Sequence, residues 1–364
     1  MTIAALSRCL GAAGLLCAVW ALPSGPAGAD AIGDFYKGKS ITLLISVGAG
    51  DGMDLTARIL ARHWKAHLPG QPTFIPKNMT GAGHLRATNF LYDQAPKDGT
   101  TIGAIIPAFV MHQMLDGASV NYDAAKFQWI GSTNASNAMI FVWHTSGVKT
   151  LQDAMEQEVL LGGSGAGSNS VLYPAIFNNI LGTKFKVIMG YKSTPEIDIA
   201  MERLEVQGRA GSTFNTLMAN NAEWVTDKKL NILAQIGQEK EPGFEHIPLI
   251  TDFARDPVNR EVIEIFSGQI TLGRPYLLPP GVPADRVAAL RTSFDAALKD
   301  PALLADAKTA RLDISPTNGD KLQKLVEAMI HTNDEVVARM KAALETKGAI
   351  AGEAKGGDGN SPPP

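Results

Sequence analysis

The residues best suited to chemistry are glycines placed where a strand should give way to a helix. The first set is Val47-Gly48-Ala49-Gly50-Asp51-Gly52-Met53-Asp54. Glycine suits backbone that must take positive φ or approach a ligand closely. A loop of this kind, ahead of a helix, aims bare N–H groups and the positive end of the helix dipole at one spot, a natural seat for an anion. Two further sets have the same character: Asn78-Met79-Thr80-Gly81-Ala82-Gly83 and Gly162-Gly163-Ser164-Gly165-Ala166-Gly167-Ser168.

Other chemistries lack their residues. A dinucleotide fingerprint needs a third glycine where Met53 stands, and an acid about 20 residues on for the ribose. No Asp or Glu occurs between Asp54 and Asp93. No phosphate loop ending in Gly-Lys-Ser/Thr is present. His63 and His67 share a helix face, but Trp64 breaks the zinc-protease pattern, which favours solvated histidines over a metal pair. Ser164 lies among glycines, yet Ala166 replaces the last glycine of a nucleophile elbow. No paired carboxylates mark an acid–base site. No catalytic residue, metal or cofactor is expected.

Elements must hold these loops in place. Ile41 to Ile45 is a short, apolar, β-branched run, the mark of a buried strand. Met53, Ala57, Leu60, Ala61, Trp64 and Leu68 then recur at helical spacing, with Asp54 as the candidate N-cap. Thr73 to Ile75 and Thr100 to Ile106 are further strands. Phe127 to Trp143 reads as a broken extended crossing between two lobes. A second unit follows, with strands at Val159 to Leu161, Phe185 to Met189, Gly208 to Gly211 and Leu230 to Ile236. Ile270 to Leu278 lead back, followed by helices at Pro283 to Leu298, Pro301 to Thr309 and Asp320 to Leu344. Strand–helix alternation implies α/β lobes, each a mixed, mostly parallel sheet flanked by helices.

Composition narrows the class. The chain has 364 residues, 45% hydrophobic and 19% charged, enough for two globular domains. A net charge of −3 argues against nucleic-acid binding. Arg8, the apolar stretch Cys9 to Leu22 and Ala27-Gly28-Ala29 make residues 1–29 a secretory signal, cleaved before Asp30. Both cysteines fall in that segment, so the mature chain has no thiol chemistry. The tail 348–364 is Gly- and Pro-rich and is expected to be disordered. Leu55 to Tyr92 and Val159 to Pro195 contain no acid, which suggests two loops facing one positive cleft.

The chain resembles the periplasmic solute receptors of tripartite tricarboxylate transporters, the Bug-type receptors. The resemblance rests on Phe35-Tyr36-Lys37-Gly38-Lys39, the loop Gly48 to Asp54, Asn78 to Gly83, Ala95-Pro96-Lys97-Asp98-Gly99, Gly165-Ala166-Gly167-Ser168, Gly190-Tyr191-Lys192 and Leu278-Pro279-Pro280-Gly281-Val282-Pro283. Their order and spacing hold from about Asp34 to Leu344. The loop departs from the family pattern in having Ser46-Val47-Gly48-Ala49 and an interrupting Asp51.

The resemblance implies a two-lobed, type II-like periplasmic binding protein that closes on a small organic anion, with 34–134 and 266–344 as the first lobe and 135–265 as the second. It implies ligand contacts from Val47, Gly48, Ala49, Gly50, Asp51, Gly52 and Asp54, from Gly81, Ala82, Gly83 and Ala108, and, in the second lobe, from Ser164, Gly165, Ala166, Gly167, Ser168, Asn169, Tyr191, Lys192, Ser193, Gly211 and Ser212. Hinges are expected near Asn134 and Phe266. The implied partners are the anion and integral membrane transporter subunits, with no nucleic acid; a periplasmic monomer without enzymatic activity is expected. The alternative reading is a ligand-sensing subunit for a membrane kinase, with a hydrolase as a third.

Overall fold

The first strand is buried on both faces, and the sheet grows outward from it. In the computed structural model, which describes residues 27–165, 168–345 and 350–351, Leu43 and Ile45 enter one apolar cluster and Leu44, between them, enters another. Successive side chains on a strand point to opposite faces, so a strand with apolar residues on both faces needs helices on both. The helices Gly52–Trp64 and Ala284–Ala297 cover one face, Ala108–Leu115 and Gly319–Ile330 the other.

The described residues form two sheets of six strands each. The first contains β1 (Ser40–Ile45), β2 (Thr73–Asn78), β3 (Thr101–Ala104) and β4 (Gln128–Ser132). The chain then crosses to build the second from β5 (Ala138–Trp143), β6 (Val159–Gly163), β7 (Phe185–Met189), β8 (Gly208–Thr213) and β9 (Leu230–Ile236). It returns for β10 (Pro275–Leu278) and β11 (Thr317–Asn318), and ends with β12 (Ile350–Ala351) beside β7. β1 lies parallel to β2 and β3, and β6 parallel to β7 and β8. The strand that follows each crossing runs against its neighbours: β5 against β8 and β9, β10 against β3 and β4. The lobes are thus mixed sheets, as the sequence suggests, with most strands of each sharing one direction. One apolar cluster nevertheless runs through both, joining Trp129 to Leu161 by way of Val262, Val326 and Met340. Among the described residues no helix is long and apolar enough to cross a membrane.

Four local expectations change. Phe266 is not at a crossing: it is buried inside the helix Pro257–Leu272, and the chain enters the first sheet at Gly273–Arg274. A helix interior is locked by its own hydrogen bonds, whereas Gly273 takes φ 54. Asp54 is not the N-cap; Asp51 is, accepting the Met53 amide. The helix expected from Asp320 to Leu344 is two, Gly319–Ile330 and Asp334–Ala343, because the Asn333 side chain caps the second by accepting from Val336. Ile350 and Ala351, inside the tail expected to be disordered, pair with Ile188 and Met189, since β7 would otherwise present an open edge. The rest of that tail lies outside the described residues, as does the expected signal apart from 27–29, which open the helix Ala27–Tyr36.

Candidate functional site

The glycine loops lie at the C-terminal ends of parallel strands, the place where open α/β sheets bind ligands. After β1 the backbone at Gly48, Ala49 and Gly50 is exposed, and Gly50 takes φ 88. Asp51, also exposed, spends its carboxylate on the Met53 amide at 2.8 Å, so the helix start already carries one anion of its own. Asp54 faces inward at 1% exposure. It accepts from the Gly50 amide (2.9 Å), Arg58 Nε (2.9 Å) and Asn78 Nδ2 (2.8 Å). Asn78 Nδ2 also donates to the Val47 carbonyl at 2.8 Å. Burial pushes the Asp54 carboxyl up, but the bonds from Arg58, Gly50 and Asn78 outweigh it and hold the group below the usual carboxylate range. Asp54 therefore braces the loop from behind.

The second loop is tied to the first. His84 Nδ1 meets the Ser46 carbonyl at 3.2 Å, and Ser46 Oγ accepts the Ile106 amide at 3.1 Å. Gly81, Ala82, Gly83 and His84 take φ of 128, 48, 59 and 77 in succession. For Ala82 and His84 that conformation costs roughly 1–2 kcal/mol each. Such strain persists only where the surroundings impose it, and it clusters at ligand clamps. Ala108 is exposed at the start of its helix. The first-lobe set is thus contiguous through Ser46 and Asn78.

In the second lobe, Gly211 takes φ 85, and a Cβ there would lie 2.9 Å from that of Asn169. This close approach joins β8 to the helix Asn169–Leu181. Ser168 Oγ donates to the Gly165 carbonyl at 2.7 Å, and the Gly190 amide donates to the Ser164 carbonyl at 3.4 Å. Tyr191 is half-buried, and a Cβ on Gly162 would come within 3.4 Å of its ring. Lys192 and Ser193 are exposed, with the Lys192 amide bound to Glu196 at 2.7 Å. Ala166 and Gly167 lie outside the described residues. A cavity of about 650 Å³ opens beside Ser164, Ser168, Asn169, Gly211 and Ser212 and is lined wholly by second-lobe residues. Among the described residues no hydrogen bond joins the first lobe's loops to the second's.

No family model matches the chain, and no curated protein matches its sequence. Solved structures do. A TctC solute binding protein from Polaromonas, without ligand, is 17% identical over 84% of this chain and 98% of its own, with a TM-score of 0.65. The periplasmic binding protein BugD is 20% identical over 85% and 98%, with a TM-score of 0.51. R. palustris Rpa4515 with adipate is 18% identical over 84% and 98%, with a TM-score of 0.52. This chain has the fold of the TctC and Bug-type solute receptors.

In this receptor fold the crossings between lobes matter, and three residues there escaped the sequence reading. The Thr133 amide donates to the Arg274 carbonyl at 3.1 Å and the Arg274 amide to the Asn134 carbonyl at 3.2 Å, so the two crossings form one ribbon. Arg274 Nη1 donates to Thr56 Oγ1 at 3.1 Å, and a Cβ on Gly52 would lie 2.9 Å from Nη2; a guanidinium thus backs the first loop. Asp313 accepts from Asn134 Nδ2 at 2.8 Å and from Asn215 of the second lobe. Burial raises its carboxyl, against the lowering effects of Arg274, Asn215 and Asn134. Glu241 accepts the Asn137 amide at 2.8 Å; its carboxyl is raised by burial, the Asn137 bond opposing. A Gly-Arg pair ahead of a strand was the only sequence signal for Arg274.

Four of the bases in the acid-free runs are already partnered. Arg58 pairs with Asp54 and Arg62 with Asp306. Lys184 donates to the Glu156 carbonyl and Lys186 pairs with Glu158 at the far end of the second sheet. Distance along the chain did not measure distance to acids in space. His63 and His67 are half-buried, and their Nε2 atoms meet Asp306 and Asp300, each at 2.9 Å. Among the described residues no group of His, Cys, Asp and Glu is placed to hold a metal ion.

Proposed function

We propose that this chain is a periplasmic solute receptor of the tripartite tricarboxylate transporter type. It captures a small organic anion by lobe closure, holds the anion's carboxylate at Gly48–Gly52 and delivers it to integral membrane subunits. It acts as a monomer, is exported by residues 1–29 and carries out no catalysis. The observation that carries this reading is the loop fixed by Asp54: the buried carboxylate ties down the Gly50 amide while the backbone from Gly48 to Gly50 stays open. A loop of that design offers N–H groups to an anion at little reorganisation cost. Similar structures were solved with adipate and with malate, which supports a carboxylate. Closure would turn on the ribbon of Thr133, Asn134, Gly273 and Arg274.

A thermal-shift panel of mono-, di- and tricarboxylates, hydroxylated acids included, tests the ligand class. A binder at 100 times its Kd adds about 2.7 kcal/mol of stability. Small-angle scattering with that acid should show compaction. A panel with no stabilising acid, or saturation without compaction, refutes the reading.

A further inference from the structure

Arg274 brings a guanidinium to the first-lobe loop without an acid to pair it. Nη1 donates to Thr56 Oγ1 at 3.1 Å, and Thr56 Oγ1 donates in turn to the Gly52 carbonyl at 2.7 Å. A Cβ on Gly52 would lie 2.9 Å from Nη2 and 3.5 Å from Cζ, so the group stands against the last glycine of the loop. The residue is half-buried. Nε and Nη2 have no hydrogen-bond partner among the described residues, and neither nitrogen is sealed from solvent. The charge is also anchored through its own backbone. The Arg274 amide donates to the Asn134 carbonyl at 3.2 Å and to Ser132 Oγ at 3.0 Å, and the Arg274 carbonyl accepts the Thr133 amide at 3.1 Å. A cation fixed in this way loses little freedom when an anion arrives.

The charges around it are already committed. Arg58, the other guanidinium at this loop, is taken by Asp54. Asp51 spends its carboxylate on the Met53 amide, and Asp313 accepts from Asn134 and Asn215. Neither acid forms an ion pair with Arg274. A half-buried cation beside a helix start, where the dipole is also positive, is unfavourable alone and favourable once an anion sits beside both. Asp51 adds to the need. A ligand carboxylate at Gly48–Gly52 meets the charge of that acid, and a cation at the same loop offsets it.

We propose that Arg274 is a ligand-binding residue. Its Nη2 donates to the carboxylate seated at Gly48–Gly52 and supplies the counter-charge that Arg58, bound to Asp54, does not. This assignment rests on the receptor reading and adds to it the side chain that selects for the ligand's charge.

Calorimetry with malate, adipate, citrate, hexanoate and gluconate on the native protein selects the tightest of the five, and that acid is then titrated into Arg274→Met and Arg274→Lys. Affinity should fall about tenfold or more in Arg274→Met, as expected for a lost hydrogen bond between charged groups. It should recover in part in Arg274→Lys, which restores the charge without the planar fork. Native affinity should weaken as salt rises, with a shallower dependence in Arg274→Met. The thermal midpoint of ligand-free Arg274→Met should stay near the native one, because Arg274 meets no acid and Thr56 keeps its bond to the Gly52 carbonyl. An Arg274 that merely balanced Asp51 or Asp313 within the fold would take the midpoint down with it. Unchanged affinity or salt dependence in Arg274→Met, or a ligand-free midpoint lower by more than about 5 °C, overturns the inference and leaves the receptor reading intact. If none of the five acids binds the native protein, the receptor reading falls and the inference falls with it.

Discussion

Changing Asp54 to Asn probes the brace behind the first loop. Both carboxylate oxygens are in use: Oδ2 takes the Gly50 amide and Arg58 Nε, while Oδ1 takes Arg58 Nε and Asn78 Nδ2. Asparagine keeps one acceptor and turns the other into a donor facing a donor. A hydrogen bond to a charged group contributes about 1.5–3 kcal/mol. Arg58 is 39% exposed and can turn to water, which discounts its share. The net loss at neutral pH is then about 2–3 kcal/mol. Because the folded carboxyl is held below the unfolded value of about 3.9, the native protein's advantage is fully present above that value and shrinks as pH falls through the lower, folded one. Urea denaturation of both proteins at about pH 7, about pH 5 and about pH 3 reads this directly. The gap should be near its full size at the first two and smaller at the third, and affinity for the bound acid should drop in Asp54→Asn as the Gly50 amide is released. A gap below about 0.5 kcal/mol at neutral pH, or one constant across the series, refutes the account.

Three further outcomes are expected. In Gly273→Ala the new Cβ would lie 1.6 Å from the Asn134 carbonyl oxygen at φ 54, so the variant should lose more than about 3 kcal/mol in denaturation or fail to fold; a near-native midpoint would remove the ribbon's role. In Gly50→Val an added Cβ meets nothing within 4 Å, so the cost is that of φ 88 alone, on the order of 2 kcal/mol, while acid binding is lost; unchanged affinity counts against the loop. Glu241 keeps its proton to higher pH folded than unfolded, so its contribution is present below the unfolded value and is lost as pH rises through the folded one. Glu241→Gln should therefore gain on the native protein between about pH 4 and about pH 7, and a gap that widens the other way in urea melts contradicts the burial argument.

Local pattern carried a great deal of this molecule. The run at Ile41 to Ile45, apolar but for Thr42, required a strand covered on both faces, and the stripe from Met53 to Leu68 required the helix after it, because these periods are properties of the backbone itself. Glycines at Gly50, Gly81, Gly83 and Gly211 marked backbone that takes positive φ. The set of glycine loops and its spacing led to the receptor fold that the solved structures share. What the pattern left open was partnership between residues distant in sequence. Asp54 and Asp51 stand three residues apart and both suit a cap, yet Arg58 and Asn78 draw one inward and leave the other to the helix end. The second crossing fell at Gly273, where the chain must pass the Asn134 carbonyl without a side chain. Bases in acid-free runs found acids such as Asp306 and Glu158 that folding delivers from elsewhere. Ser212 was legible as a residue at a strand end, but that its hydroxyl is buried with nothing to bind is a fact of packing. Hydrogen bonds and ion pairs form wherever the fold brings their groups within about 3 Å, and only the tertiary structure decides which groups those are.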